Sequence, residues 1–248
     1  MYIVSRSQPL QESQSQLLTS EDLALYPAGY VQFIQRWGEG TYRGWMNVQL
    51  PDTEVLKPFA DYGLWEFDED SPIQEQQISE CISIGTTVDG DFLAVHPKAG
   101  LLWLPRHADQ VKAISLEQEQ AAQTAGDDDT YSLVLDDIYR QVYERSQEDG
   151  VYYEPWTGTR SHVFLHLQTG EGQPSLPELA GECRAAYPPD FSIETPYVCL
   201  LFYRQLEGYI RFNYAYEKEV AVFYELDREQ AFSVMQQWLV SKGCKIMA

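Results

Sequence analysis

The sequence predicts an α+β fold arranged as two domains, and three observations support this prediction. The chain has 248 residues, more than the usual domain size of about 100 to 150 residues. Its first half combines amphipathic helices with a run of antiparallel strands, whereas its second half shows the order βαβββα. Hydrophobic residues make up 44% of the chain and aromatic residues 13%. The chain can therefore fill a core, and intrinsic disorder is not expected.

The first domain is expected to span residues 1–148. Its first helix is predicted after Pro27, a residue that suits a first helical turn. The apolar face of this helix follows helical spacing and consists of Tyr30, Phe33, Ile34 and Trp37. The glycines at positions 38 and 40 end the helix, and the segment 41–50 is expected to be a strand or an extended stretch.

An antiparallel meander of three strands is predicted next. The strands are Ile82–Ile84, Phe92–Val95 and Leu101–Leu104. The turn signals Asp89-Gly90 and Pro97–Gly100 connect them.

A closing helix follows the meander, and its apolar positions are Tyr131, Leu135, Ile138 and Val142. Asp127–Asp129 precede this helix, where negative charge is favourable because of the helix dipole. The triplet lacks the DxDxDG spacing of a calcium loop, so a solvated helix start is the better interpretation. The polar residues 146–150 then mark a domain boundary.

The second domain is expected to span residues 149–248 and to be a small α+β domain of unknown role. It opens with a strand at His162–Gln168 and a helix at Pro177–Tyr187. Three strands follow, at residues 197–204, 209–216 and 220–225. In the last helix, Asp227 and Gln230 resemble a capping box, and the buried stripe consists of Phe232, Met235 and Leu239.

The chain is strongly acidic, with 38 acidic and 17 basic residues and a formal net charge of −21. The first 150 residues hold 26 acidic and 9 basic residues, and the remainder holds 12 and 8. Such a charge repels phosphates and anionic membranes and attracts cationic partners. A protein partner is therefore expected, with no nucleic acid and no membrane, although solubility alone is an alternative explanation of the acidity.

Several features predict a cytoplasmic protein. Residues 1–10 include Arg6, Gln8 and Pro9 where a signal peptide needs an apolar stretch. The longest strongly apolar run, Tyr197–Tyr203, is too short to span a bilayer. The four cysteines are far apart in the sequence and form no CxxC pair, so neither a zinc site nor a disulfide framework is indicated. The sequence leaves the oligomeric state open.

The sequence offers no assignable catalytic site. The GxSxG, P-loop, GxGxxG and HExxH motifs are all absent. His162 and His166 share one side of a predicted strand, about 13 Å apart, which is too far for a single metal ion. No cofactor and no metal are therefore expected. An enzyme that uses a cleft between the domains stays a third hypothesis, without nominated residues.

Candidate binding residues lie in the acidic stretch Pro51–Glu80, which holds nine acidic residues and one lysine. The predicted protein-binding residues are Asp61, Tyr62, Trp65, Glu66, Asp68, Glu69 and Asp70. Aromatic anchors inside an acidic rim suit the docking of a basic partner. The alternative is a solvated loop whose aromatic side chains pack into the core.

Two segments resemble signatures of the SUKH superfamily, which includes bacterial immunity proteins and a yeast regulator of cell-wall glucan synthesis. Tyr26–Ile34, running into Trp37–Gly40, is similar to the opening "LPxxYxxFL…NGG", with Tyr26 in place of Leu and Gly-Glu-Gly in place of Asn-Gly-Gly. Ile84–Leu93 is similar to the strand-turn-strand signature "IGxxxxGDxL". The resemblance covers residues 10–148 and implies a SUKH-like antiparallel sheet with flanking helices.

The resemblance also implies a function. It implies a non-catalytic immunity protein of a polymorphic toxin system, a toxin–antitoxin arrangement in which this chain would occupy the active face of a toxin. The acidic charge adds the expectation that the toxin domain is basic, for example a nuclease. The alternative is a regulatory or scaffold protein of a cell-wall or signalling pathway, like the eukaryotic relatives of the family.

Overall fold

In a computed structural model, the chain is an α+β protein that contains both helices and antiparallel sheets. The structure describes residues 1–11, 14, 18, 23–116, 130–147, 150–168, 170, 174–216 and 218–247. The predicted helix start Asp127–Asp129 lies outside the described residues, and so do residues 148 and 149 at the predicted domain boundary.

Four α-helices lie entirely within the described residues: α1 (Tyr30–Trp37), α2 (Thr130–Tyr143), α3 (Leu176–Ala186) and α4 (Glu229–Ser241). The strands in the same part of the chain are β1 (Tyr2–Ile3), β2 (Gly40–Tyr42), β3 (Met46–Asp52), β4 (Ile82–Thr87), β5 (Phe92–His96), β6 (Gly100–Leu104), β7 (Lys112–Ala113), β8 (Tyr152–Pro155), β9 (Arg160–Leu167), β10 (Phe191–Glu194), β11 (Val198–Tyr203), β12 (Gly208–Asn213), β13 (Glu219–Glu225) and β14 (Cys244–Ile246).

The chain forms two compact units. The larger unit comprises Ser7–Gln147 and Glu154–Trp156, and the smaller unit comprises Met1–Arg6, Glu148–Tyr153 and Thr157–Ala248. The units differ in two places from a division into residues 1–148 and 149–248. The first six residues belong to the smaller unit, and residues 154–156 belong to the larger one.

In the larger unit, the six strands from β2 to β7 lie side by side in sequence order. Each of them pairs antiparallel with the next. β4, β5 and β6 are the predicted meander. The segment 41–50 is not a single extended stretch but a hairpin of β2 and β3. Arg43 (φ 48°) and Gly44 (φ 71°) reverse the chain there, so that Tyr42 pairs with Met46.

Helices α1 and α2 cover one face of this sheet. The Tyr131 ring of α2 lies 5.3 Å from the ring of Tyr30 and 5.5 Å from that of Phe33, both in α1. The Tyr143 ring of α2 lies 6.2 Å from that of Trp103 on β6. Tyr30, Phe33 and Ile34 of the predicted apolar face are buried in the core, whereas Trp37 at the end of α1 is only partly buried.

Apolar side chains of the acidic stretch cover the other face of the sheet. Leu93 and Trp103 lie opposite each other across β5 and β6, and so do Ala94 and Leu102, which point the other way because side chains alternate along a strand. Ala94 and Leu102 belong to a buried cluster that also contains Leu56, Trp65, Ile73, Ile78 and Cys81. The acidic stretch is therefore a structural layer as well as a charged surface.

The smaller unit contains a six-stranded antiparallel sheet in the order β10-β11-β12-β13-β9-β14. Helices α3 and α4 pack on one face of it, through residues that include Leu179, Cys183, Met235 and Leu239. The elements of the predicted βαβββα order are present, and the structure adds β10 and β14 at the sheet edges. These two strands have only three or four residues, too few for a clear alternating pattern.

The start of α4 differs from the predicted capping box. Leu226–Arg228 form a 3₁₀ turn before the helix, and Arg228 occupies the N-cap without a side-chain capping bond, since its guanidinium donates to Glu207 instead. Asp227 therefore precedes the cap position, and its carboxylate pairs with Arg6 at 2.9 Å.

The second face of the six-stranded sheet of the smaller unit is partly covered by Tyr2 of β1 and Tyr152 of β8, whose rings lie 5.5 Å and 5.0 Å from that of Phe202 on β11. Tyr2 and Ile3 pair in parallel with Tyr152 and Tyr153. Tyr2 stacks on Phe191, with 5.1 Å between the ring centroids. Because this pairing joins residues that are 150 positions apart, local sequence patterns could not place β1 in the smaller unit.

A buried carboxylate anchors the end of β13. Glu225 is fully buried and accepts hydrogen bonds from the hydroxyls of Thr157 (2.8 Å) and Thr159 (2.7 Å). Its Oε1 lies 3.4 Å from Nε of Arg160. A buried charge is tolerated only when it is paired and hydrogen-bonded, as Glu225 is.

We expect Glu225→Ala to lower the free energy of unfolding by at least about 3 kcal/mol, because it removes the buried carboxylate that accepts from two hydroxyls and pairs with Nε of Arg160. Asp227→Ala is the control, since Asp227 and Arg6 are half exposed and such pairs contribute about 1 kcal/mol or less. Urea unfolding of the two variants checks this. Equal losses would contradict the role of Glu225.

The four cysteines are free and buried. Burial raises the pKa of the Cys81 and Cys183 thiols to about 12 and that of Cys244 to about 11, and it also raises the pKa of Cys199. Because only the thiolate is a good nucleophile, the native thiols are poorly reactive at neutral pH.

Alkylation by iodoacetamide at pH 8 should be at least about a hundredfold slower in the native protein than in concentrated urea, because the raised pKa values keep the thiols protonated well above that pH. Mass spectrometry of quenched samples gives the rate for each cysteine. Rapid native modification of any of the four would contradict the expected protection.

Candidate functional site

A groove of about 680 Å³ lies on the larger unit, between the acidic stretch and strands β4 to β6. Its walls come from the residues after Leu56, from the connection between β4 and β5, and from the loop after β6. The lining residues are Phe59, Tyr62, Leu64, Trp65, Thr86, Thr87, Gly90, Phe92, Leu104, Arg106 and His107. We call this feature the aromatic groove.

Four rings form a connected cluster in the aromatic groove. The ring centroid of Phe59 lies 5.4 Å from that of Phe92, 5.8 Å from Tyr62 and 6.1 Å from Trp65. The indole Nε1 of Trp65 donates to the carbonyl oxygen of Pro105 at 2.7 Å. This bond holds the segment that carries Tyr62 against the loop that carries Arg106, and so it fixes two walls of the groove.

The IGxxxxGDxL segment builds one end of the groove. Gly90 has a φ of 95°, and a Cβ at this position would lie 2.9 Å from Cδ and Nη1 of Arg106. Asp91 is 9% exposed, and its carboxylate accepts from the Thr87 hydroxyl (3.2 Å) and from the backbone N–H of Arg106 (2.7 Å). Gly90 thus admits the Arg106 side chain, and Asp91 fixes its backbone.

Gly85 of the same segment allows close packing within the sheet. A Cβ here would lie 2.8 Å from the carbonyl oxygen of Asn47 on β3, closer than real Cβ contacts. The pairing of β4 with β5 also shifts register between Ser83 and Gly85. The glycines of this segment therefore specify backbone geometry around the groove.

The predicted binding residues occupy different environments. Tyr62 is 65% exposed, but Trp65 is only 5% exposed. Because its ring is buried and its N–H is bonded to Pro105, Trp65 belongs to the core and offers a partner little exposed surface. The alternative interpretation, in which aromatic residues pack inward, applies to Trp65 but not to Tyr62.

Five carboxylates of the predicted site are exposed, and we call them the acidic border: Asp61, Glu66, Asp68, Glu69 and Asp70. None of them makes an ion pair with another described residue, whereas nearby Lys57 pairs with Glu54 at 2.6 Å. Asp68 also has a local role, because its Oδ1 accepts from the Ser71 hydroxyl and the Asp70 N–H, both at 3.0 Å. The other four are placed without a comparable side-chain bond.

Of the lining residues, sequence reasoning nominated Tyr62 and Trp65 but missed, among others, the exposed residues Leu64, Arg106 and His107. Leu64 is 49% exposed and stands between the predicted residues, but an aliphatic side chain gave no signal among aromatic ones. Arg106 and His107 are exposed and lie in the loop after β6, about forty positions after Trp65 in the sequence. Two hydrogen bonds bring this loop beside the acidic stretch: the bond from Trp65 to Pro105, and one from the backbone N–H of Glu66 to the carbonyl oxygen of Asp109 at 2.7 Å.

The carboxylates in the turn between β4 and β5 affect the pKa of a nearby tyrosine. Burial raises the pKa of Tyr143 to about 12, and the carboxylates of Asp91 and Asp89 add to this effect. The phenol of Tyr143 is therefore neutral at physiological pH.

Comparison with protein-family models, with curated proteins and with solved structures finds no match to this chain. Within the described ranges, no three His, Cys, Asp or Glu side chains are grouped so that they could hold a metal ion. Among those residues there is also no helix with the length and apolar character needed to cross a bilayer.

Asp91→Ala should lower the free energy of unfolding by about 1 to 3 kcal/mol, because it leaves the N–H of Arg106 without its acceptor. The amide of Arg106 should also exchange its hydrogen faster than in the unmodified protein. The control is Asp89→Ala in the same turn, where the side chain is exposed. An Asp91→Ala protein with unchanged exchange at Arg106 would show that the carboxylate does not fix this loop.

Proposed function

We propose that this chain is a non-catalytic protein-binding protein that receives a basic protein partner at the aromatic groove and the acidic border. The observation that carries the proposal is that five exposed carboxylates, which make no ion pair with another described residue, belong to the same segment as Tyr62 and Leu64, the exposed residues that line an apolar groove. Apolar anchors surrounded by charge are the usual composition of a protein interface.

The charges of the acidic border support a cationic partner. Like charges held close together repel one another, and lysine or arginine side chains of a partner would relieve this repulsion. A specific interface buries about 800 Å² on each partner. The aromatic groove can hold a few apolar side chains of the partner at the centre of such an area, and the acidic border then forms part of its rim.

The resemblance to the SUKH superfamily supports a more specific proposal. On this proposal the larger unit is a SUKH-like domain of an immunity protein, which acts in the cytoplasm and neutralises a basic toxin domain by covering its active face. Two features of the site agree with it. Glycine and aspartate of the second signature shape the groove, and the acidic border lies within the region that the resemblance covers.

The immunity proposal is tested by growth of cells that express the C-terminal domain encoded immediately upstream, with and without this chain. We expect growth arrest by that domain alone and rescue on co-expression. Rescue should be lost when Tyr62 and Leu64 are both replaced by serine. A neighbour that is harmless, or one that kills in both cases, would refute this pairing and favour the regulatory alternative.

The triple variant Glu66→Lys, Glu69→Lys and Asp70→Lys should associate with the toxin domain identified by rescue at least about tenfold more slowly at low ionic strength. The reason is that it reverses the charge that attracts a basic partner. It leaves Asp68 and its turn intact. Stopped-flow association rates at low and high salt check this, and the difference should shrink in high salt.

The matched control compares single reversals. Glu69→Lys should slow association, whereas Glu229→Lys, an exposed carboxylate at the start of α4 in the smaller unit, should not. Equal rates for the triple variant and the unmodified protein at low salt would remove the acidic border from the interface.

A further inference from the structure

A second candidate surface lies on the smaller unit, on the face of its sheet that points away from α3 and α4. Side chains of β9, β13, β12 and β14 form three rows across this face. In the first row His162 lies opposite Phe223, and Phe223 lies opposite Tyr209. The second row contains Phe164, Ala221 and Arg211, and the third contains Lys245, His166, Glu219 and Asn213. We call this surface the histidine face.

Aromatic rings lie against one another along the first two rows. The His162 ring lies 5.1 Å from that of Phe164 and 5.7 Å from that of Phe223. Phe223 stacks on Tyr209 with 4.6 Å between centroids, and the guanidinium of Arg211 lies 5.6 Å from the centroid of Phe223. His162 is exposed, and Phe164 and Phe223 are partly exposed. The surface therefore offers apolar area that a partner can contact.

The ionisable groups of the histidine face are mainly basic, although the chain has a net charge of −21. Glu219 already accepts hydrogen bonds from Arg211 (2.8 Å) and Asn213 (3.2 Å). Lys245 and His166 are exposed neighbours and make no ion pair with another described residue. Nε of Arg211 is buried and has no hydrogen-bond partner among the described atoms. Donors on this face thus outnumber acceptors.

We propose that the histidine face binds an acidic segment of a partner protein. Carboxylates of the segment would accept from Arg211, Lys245 and the two histidines, since charge-assisted bonds to a guanidinium are among the strongest in proteins. An aromatic or apolar side chain between the carboxylates would pack on Phe164 and Phe223. This proposal concerns the smaller unit alone and does not depend on the proposed function of the aromatic groove.

The net charge decides between an acidic protein segment and a single strand of nucleic acid. Aromatic rings and basic groups on a sheet can also stack bases and contact phosphates. A strand of nucleic acid, however, brings one negative charge for each nucleotide toward a chain of charge −21. A segment with a few carboxylates meets less repulsion, and so it is the favoured occupant.

The test uses synthetic probes and the full chain in isothermal titration calorimetry at low salt. The main probe is an extended peptide that repeats Glu-Tyr five times. The matched peptides repeat Lys-Tyr, which reverses the charge, and Glu-Ser, which removes the rings. A thymidine oligonucleotide of ten residues represents nucleic acid. We expect the Glu-Tyr peptide to bind at least about tenfold more tightly than each of the other three.

Variants assign the binding to the histidine face. The double variant His166→Glu and Lys245→Glu should weaken binding of the Glu-Tyr peptide by at least about tenfold. Phe223→Ser should also weaken it, whereas Lys112→Glu, which changes an exposed lysine of β7 in the larger unit, should not. Circular dichroism and thermal unfolding establish that each variant is folded.

Each other outcome overturns the proposal. Equal binding of the Glu-Tyr and Lys-Tyr peptides would exclude recognition of carboxylates. Unchanged binding by the folded double variant would place the acidic segment elsewhere on the chain. Tighter binding of the oligonucleotide would assign the surface to nucleic acid.

Discussion

The sheet of the larger unit is apolar on both of its faces, and this constraint determines how the rest of that unit is arranged. Leu93 and Trp103 point to one side and Ala94 and Leu102 to the other, and all four are at most 2% exposed. A sheet with two apolar faces needs a covering layer on each. Helices α1 and α2 supply one layer, and the only other substantial segment of the described larger unit, the acidic stretch, supplies the second.

This double role of the acidic stretch explains why charge and rings meet at the candidate site. Its apolar residues turn toward the sheet, and its carboxylates are thereby left at the surface, since a buried carboxylate without a partner is costly. Trp65 connects the two roles, because its ring is in the core while its neighbours Leu64 and Glu66 are exposed. The covering layer stops short of the turn between β4 and β5, and the aromatic groove occupies the space that remains.

Local patterns predicted those elements that carry their own signal. The helical spacing of Tyr30, Phe33 and Ile34 places α1, and Asp89-Gly90 places the turn between β4 and β5, where Gly90 has the positive φ that only glycine adopts easily. The hairpin at Arg43 and Gly44 was missed because a non-glycine residue takes a left-handed conformation there. Strand β1 was missed because its partner is β8, which is remote in sequence.

The sequence by itself determined the α+β class, the uneven charge, the positions of the acidic border and the absence of the common catalytic motifs, because each depends on composition or on neighbouring residues. Only the tertiary structure decided that Trp65 is buried while Tyr62 is exposed and that Arg106 reaches the groove. It also decided which residues of neighbouring strands lie side by side on the histidine face. These facts depend on contacts between residues far apart in the chain. Periodicity indicates which apolar side chains share a face of a helix or strand, but their burial depends on what packs against that face.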